Sequence, residues 1–154
     1  MEIVPYSSDR AKEVADLFYQ SVHAIDSAVY FLEQKEAWAP RPADYERWRA
    51  RLEIRQPFLA IMDDKVAGFI ELEADGHIDC VYVLPEYQRQ GVGKELYRYA
   101  ELVAVTKGIE RLYVEASVPA RPFFEVLGFI FVHENSVSMN GQTLVNFTLE
   151  KRLA

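Results

Sequence analysis

Val81-Tyr82-Val83-Leu84-Pro85-Glu86-Tyr87-Gln88-Arg89-Gln90-Gly91-Val92-Gly93-Lys94 is the stretch that decides the fold of this chain. A β-branched run stops at a proline, a polar turn follows, and an amphipathic segment opens at two glycines one residue apart. The spacing predicts a strand, a tight loop and a helix. The first turn of a helix leaves backbone N–H groups without intrahelical partners, and the helix dipole adds positive potential there. Glycines, having no Cβ, let a phosphate come close to those groups. Arg89 and Lys94 add cationic side chains at the same end, so the stretch reads as an anion site. It is neither of the two commoner phosphate motifs. A dinucleotide fingerprint needs a third glycine where Leu96 stands, and a Walker loop needs a Ser or Thr where Glu95 follows Lys94.

Outward from this stretch, strands and helices alternate. Glu2–Tyr6 reads as a strand, with Ser7 or Ser8 as an N-cap for a helix whose buried stripe is Ala11, Val14, Ala15, Phe18, Val22 and Ile25. Ser27 to Pro42 shows no regular period, and Ala43–Ile54 reads as a short charged helix. Phe58–Met62 and Val66–Glu73 flank Asp63-Asp64 as a hairpin, and Asp75-Gly76 turns the chain into His77–Leu84. Val92, Leu96, Tyr99, Ala100 and Val103 mark the helix after the loop. A strand over Leu112–Ala116 follows, then a short helix from Ala120 to Leu127 stopped by Gly128. Phe129–Ser138 and Thr143–Leu149 form a last hairpin around Asn140-Gly141. These 154 residues read as one mixed α/β domain, residues 1–154, without repeat or linker.

Composition excludes several functions. A net charge of −7 argues against a nucleic-acid binder, which needs a basic face, and against an anionic membrane partner. One cysteine, Cys80, rules out an internal disulfide framework, and with three scattered histidines it offers no metal-ligand spacing. The N-terminus lacks a basic start followed by an apolar core, and no apolar run can cross a bilayer. A cytoplasmic protein without a metal is the expectation.

Gln88-Arg89-Gln90-Gly91-Val92-Gly93 resembles the pyrophosphate loop, Gln/Arg-x-x-Gly-x-Gly/Ala, of the GCN5-related N-acetyltransferases, the GNAT superfamily. Ala120-Arg121-Pro122-Phe123-Phe124-Glu125-Val126-Leu127-Gly128-Phe129 is similar to the family's second signature, Ala-x-x-Phe-Tyr-x-x-x-Gly-Phe. The region from Tyr30 to Pro40 and Asn146-Phe147-Thr148 also resemble a bacterial subgroup of uncharacterised acetyltransferases. The resemblance implies an α/β (α+β) GNAT fold. Its central mixed, largely antiparallel sheet has about six to seven strands, splays at the cofactor site, and is flanked by about four to five helices.

It also implies a cosubstrate, acetyl-coenzyme A. On that reading the pantetheine arm runs along Tyr82 and Val83, and the pyrophosphate rests on Gln88, Arg89, Gln90, Gly91, Val92, Gly93 and Lys94, with Gln88 ordering the loop. Ser117, Phe123 and Phe124 flank the acyl end. Arg98 and Arg121 are either phosphate partners or solvated surface charges. The reaction implied is direct attack of a primary amine, on a small molecule or a peptide, in a ternary complex. A base must take the amine's proton, and an N–H near Val83 can meet the developing oxyanion.

His77 is the candidate base, with an ordinary pKa suited to neutral pH, or else a hairpin-end histidine merely hydrogen-bonded. Asp79, on the same face of a regular strand, can orient it or take the proton through water, and Glu73 and Glu115 are further carboxylates nearby. Where the family often carries a tyrosine acid, this chain has Phe124, which cannot donate a proton. Ser117 is the substitute. Cys80 is expected to point away from His77 as a small buried hydrophobe. His23 and His133 are expected to be structural. Tyr30, Phe31, Trp38 and Trp48 are candidates for acceptor-pocket walls. The alternatives are a non-catalytic acetyl-CoA sensor, and an interaction module in which the loop only caps a helix. The last strands also offer a possible homodimer edge.

Overall fold

The computed structural model describes residues 1–153. Seven strands form one sheet: β1 (Glu2–Pro5), β2 (Phe58–Met62), β3 (Lys65–Leu72), β4 (His77–Val83), β5 (Arg111–Ser117), β6 (Ile130–Met139) and β7 (Gln142–Arg152). The helices are α1 (Ala11–His23), α2 (Leu32–Trp38), α3 (Tyr45–Arg55), α4 (Val92–Thr106) and α5 (Arg121–Val126). The strand order is β1-β2-β3-β4-β5-β7-β6, antiparallel throughout except for the parallel β4–β5 pair. This is the splayed, mostly antiparallel architecture expected from the resemblance. None of the described helices is long and apolar enough to cross a membrane.

The core joins both faces of β3, whose Val66 to Glu71 are all buried, to α1 and α4. Gly68 permits that closeness. A Cβ there would stand 2.9 Å from the Tyr82 carbonyl oxygen and 3.0 Å from Leu96 Cδ1. The helix boundaries shift modestly from the sequence reading. A 3-10 turn (Ser8–Arg10) precedes α1, and α1 ends at His23, so Ile25 lies beyond it. In α4 the buried aromatic is Tyr97, at 1%, while Tyr99 is 37% exposed. The one unexpected helix is α2, inside the segment without periodicity.

Three hydrogen bonds tie the α2 region across to the β6–β7 hairpin. Tyr30 Oη donates to the Val145 carbonyl at 2.8 Å, Gln34 Nε2 to the Thr143 carbonyl at 2.9 Å, and Asn140 Nδ2 to the Ala37 carbonyl at 2.7 Å. The Tyr30 oxygen also accepts from Val118 N–H at 2.9 Å. The hairpin thus becomes a roof over the same side of the sheet that α3 flanks.

Candidate active site

The loop between β4 and α4 bonds to itself through side chains and leaves its main chain free. Pro85–Tyr87 makes a 3-10 turn, Gln88 Nε2 donates to the Val83 carbonyl at 3.3 Å, and Gln90 Nε2 to the Glu86 carbonyl at 3.1 Å. Arg89 and Gly91 adopt φ of 63° and 83°, left-handed values of the kind that turn successive N–H groups toward one side of a loop. Among the described residues, none of the N–H groups from Arg89 to Lys94 has a protein acceptor. Glu95 is the first that does, donating to the Gly91 carbonyl at 3.0 Å. No atom lies within 4 Å of where a Gly91 Cβ would stand, so the space in front of the loop is open. Gly93 is different, because a Cβ there would meet the Phe123 ring at 3.2 Å. Its lack of a side chain also admits Phe123.

Beside the loop the sheet opens. β4 and β5 pair only at His77↔Tyr113 and Ile78↔Val114, and from there the strands diverge. Leu84 N–H donates to the Ala67 carbonyl at 2.8 Å while Gly68 stands opposite Val83. The main chain of Val83, and by alternation that of Val81, therefore faces away from β3 into the gap. The Val83 carbonyl receives Ser21 Oγ at 3.2 Å as well as Gln88, and its N–H faces the gap. Tyr82, expected to offer main chain to the pantetheine arm, corrects to a side-chain role. Its main chain faces β3, opposite Phe69, and its ring packs against Phe18 at 5.1 Å and Trp38 at 6.4 Å.

On the other side of the gap lies a cavity of about 440 Å3 whose floor depends on a β-bulge. The β3–β4 register steps from Glu71↔Cys80 to Leu72↔Ile78, leaving Asp79 unmatched. A bulge breaks strict alternation, so His77, Asp79, Cys80 and Tyr82 all line the cavity. Cys80 therefore does not point away from the His77 side, as regular alternation would require. It lies 3.5 Å from Arg51 Nη2, and burial pushes its thiol pKa well up, which makes it a poor nucleophile. Tyr30, Trp38 and Trp48 are wall residues as expected, whereas Phe31 is 63% exposed and stands outside.

The charged end of the cavity is a network. His77 Nδ1 lies 2.7 Å from Glu73 Oε1 and Nε2 lies 2.5 Å from Glu115 Oε2, while the ring stacks on Tyr113 at 4.8 Å. Both ring nitrogens face acceptors, so both bonds form only with the imidazolium. Burial alone would lower the His77 pKa. The two carboxylate hydrogen bonds and the nearby negative charges outweigh it, and the pKa is raised. The arrangement therefore favours the imidazolium, and the orienting partners of His77 are Glu73 and Glu115 instead of Asp79. The Asp79 carboxylate is engaged by Arg51 Nη2 at 2.9 Å and Arg55 Nη2 at 3.4 Å. Arg51 also bridges to Glu71, at 2.5 Å, a carboxylate with no exposed surface. Glu73, His77 and Asp79 bring potential ligand atoms within 4.8 Å of one another, but guanidinium groups already neutralise both carboxylates.

Ser117 ends β5 at the cavity wall. Its oxygen accepts from Ala120 N–H at 3.3 Å, which leaves the hydroxyl proton available.

A family model for an acetyltransferase (GNAT) domain matches residues 17–151. The chain belongs to the GNAT family. An uncharacterized N-acetyltransferase of Escherichia coli K12, YafP, is 33% identical over 147 residues, covering 96% of this chain and 93% of that protein. The crystal structure of a GCN5-related N-acetyltransferase from Rhodopseudomonas palustris superposes with a TM-score of 0.93 at 34% identity, over 99% of this chain and 95% of that one. The PaiA N-acetyltransferase of Thermoplasma acidophilum, in complex with coenzyme A, shares the fold with a TM-score of 0.75 at 21% identity, over 99% and 98% of the two chains. This GNAT protein is an acyltransferase of the N-acetyltransferase type.

The second GNAT signature divides its two phenylalanines. Phe123 is half-buried against the start of α4, while Phe124 is 2% exposed and packs on Phe123 and Phe129 at 5.1 and 5.2 Å. As placed, Phe124 is a core side chain and not an open cofactor surface. Arg121 lies over the Phe131 and Phe147 rings, each at 4.7 Å, and Arg98 pairs with Glu95 at 3.2 Å. His23 faces the Ala39 carbonyl at 2.9 Å, and His133 lines an open polar groove on β6. Sequence reasoning missed Arg51 and Glu71. The available signal was a lone carboxylate in an apolar run, Val66-Ala67-Gly68-Phe69-Ile70-Glu71-Leu72, since a charge buried in a strand needs a partner.

Proposed function

We propose that this protein moves the acetyl group of acetyl-CoA to a primary amine by direct attack in a ternary complex. One observation carries the reading. Free N–H groups at the start of α4 and a cavity lined with carboxylates lie on either side of one gap in the sheet. Acetyl-CoA supplies an acyl group activated as a thioester. The N–H groups from Arg89 to Lys94, supported by Gln88, hold its pyrophosphate, and the open space before Gly91 leaves room for that group. The main chain of Val81 pairs with the pantetheine arm, and the N–H of Val83, whose carbonyl is taken by Ser21 and Gln88, meets the thioester carbonyl oxygen as charge develops on it. Phe123 lines the acyl end.

The amine arrives as an ammonium ion, drawn to Glu115. Its proton passes to Glu115, or to His77 once that ring has lost its own second proton, directly or through water. A C–N bond then forms at the acetyl carbon as the C–S bond breaks, and Ser117 Oγ–H gives its proton to the departing thiolate while taking the second proton that the new amide nitrogen sheds. Across the turnover one proton is released. The setting is cytoplasmic, in keeping with a single unpaired cysteine.

The test is a calorimetric titration with acetyl-CoA. Saturable binding is expected, with the affinity in Gly91→Glu reduced by about a hundredfold or more, because a carboxylate would replace the phosphate at a helix N-terminus. Equal affinity in that variant, shown to be folded, overturns the site. Thiol release with primary amines then reads the transfer itself.

A further inference from the structure

The cavity has a polar end and an apolar body. Its rings form a connected series in which Tyr30 and Trp38 are 5.7 Å apart, Trp38 and Tyr82 6.4 Å, Tyr82 and Phe18 5.1 Å, and Phe18 and Trp48 4.7 Å. The carboxylates stand at one end only, on β4 and β5. Above, the bonds from Tyr30, Gln34 and Asn140 fasten the α2 region to the β6–β7 hairpin and bound the volume at about 440 Å3. That space suits a molecule of one or two rings. A long polyamine would lay its further charges on aromatic walls without counter-ions, which is costly. A lysine on a folded protein surface would have to pass beneath the fastened roof.

We infer, building on the proposed acetyl transfer, that the acceptor is a small primary ammonium ion with a flat apolar body. Its nitrogen seats between Glu115 and Ser117, and its body lies on Trp38, Trp48 and Tyr82. Ring stacking holds the body, and charge-assisted hydrogen bonds hold the nitrogen.

The charge arrangement adds a consequence. His77 faces Glu73 after β3, Glu115 and Tyr113 on β5, Asp79 on its own strand, and Arg51 and Arg55 from α3, with Asp75 held through Tyr113 Oη. An ammonium ion docked on Glu115 competes with the imidazolium for the same carboxylate. Seating the acceptor therefore expels the His77 proton to solvent, and the neutral imidazole that remains takes the proton of the amine. The acceptor activates its own base.

Both tryptophans of the chain, Trp38 and Trp48, line the cavity, so intrinsic fluorescence reports its occupancy directly. Titration with 2-phenylethylamine is expected to give a saturable change. The equally shaped neutral 2-phenylethanol, spermidine, and a lysine-containing peptide should each bind about tenfold more weakly or worse. Glu115→Gln should weaken the amine by about tenfold while acetyl-CoA still binds. By NMR the His77 ring should titrate at lower pH when the amine is saturating. No saturable change with the amine, an alcohol that binds as well, or a His77 titration unmoved by the bound amine overturns this inference. Loss of acetyl-CoA binding in the wild-type protein overturns the acetyl-transfer reading instead, so the two failures are distinct.

Discussion

The loop from Gln88 to Lys94 and the chamber around His77 share one gap in the sheet, yet they are made of different material. The loop is a single run of chain that works through main-chain N–H groups, with side chains serving to set its shape. The chamber draws its walls from α1, α2, α3, β4, β5 and the β6–β7 hairpin, and it works through side chains. A site built of backbone keeps its chemistry under most substitutions that spare its glycines. A site built of side chains changes its ligand with each one. The division suits a transferase that holds one cosubstrate in common with its relatives and selects its own acceptor.

The largest effect that would test this contrast is on stability. Arg51→Ala leaves the fully buried Glu71 without its cation, and stranding a buried charge costs about 3–5 kcal/mol. Denaturant melts should show the loss, and Arg51→Met combined with Glu71→Leu should restore most of it. If the fraction that stays folded also loses acetyl-CoA affinity, loop and chamber are not separable as argued. If stability does not change at all, the buried pair is not what holds α3 to the sheet.

The same contrast explains what could be read from the sequence. The loop and its flanking strand and helix are local, so glycine spacing and apolar periodicity were sufficient to locate them. The largely antiparallel sheet and its splay at the cofactor site followed from the resemblance that the two signatures carry, while the strand order did not. The α2 helix was not legible, because Leu32–Trp38 has no apolar stripe of its own. Its buried residues are Lys35, bonded to the Ile25 carbonyl at 2.8 Å, and Ala37. The bulge at Asp79 was equally hidden, since a strand's pattern does not reveal where its partner slips by one residue. That single slip decides that Cys80 joins the cavity and that Asp79 meets two arginines. The candidates named in advance around the chamber, His77, Asp79 and Ser117, were found by position along β4 and β5. Of their partners, Glu73 and Glu115 were legible as neighbouring carboxylates, whereas Arg51 and Arg55 were not, because they come from α3.

A smaller effect is expected from Phe124→Tyr. The sequence alone treats this position as a missing proton donor, and restoring tyrosine would then speed turnover. The structure gives the opposite expectation. The ring is packed between Phe123 and Phe129 with almost no exposed surface, so an added hydroxyl enters an apolar core. A buried hydroxyl without a partner costs about 1–3 kcal/mol. The melting temperature should fall and thiol release with a primary amine should not rise. A faster variant of unchanged stability would place position 124 at the acyl end after all, and would move it from the core to the loop side of the contrast.

The smallest effect is confined to pH. In the folded protein the His77 pKa is raised, so its ion pairs contribute fully below the unfolded value of about 6.5, and the contribution fades as pH climbs through the raised folded value. The Glu73 pKa is lowered, first by its bond to His77, so that carboxylate's contribution is present above its unfolded value and is lost as pH falls through the folded one. The pair therefore favours the folded state most strongly in the window between the two, where one partner is anionic and the other cationic. His77→Gln keeps a hydrogen-bonding side chain and removes the charge. Wild type and variant should differ in denaturant midpoint inside that window and converge as pH rises past it. A difference that is constant with pH would mean that His77 holds the strand end by packing on Tyr113 alone, and that Glu73 and Glu115 do not keep it charged.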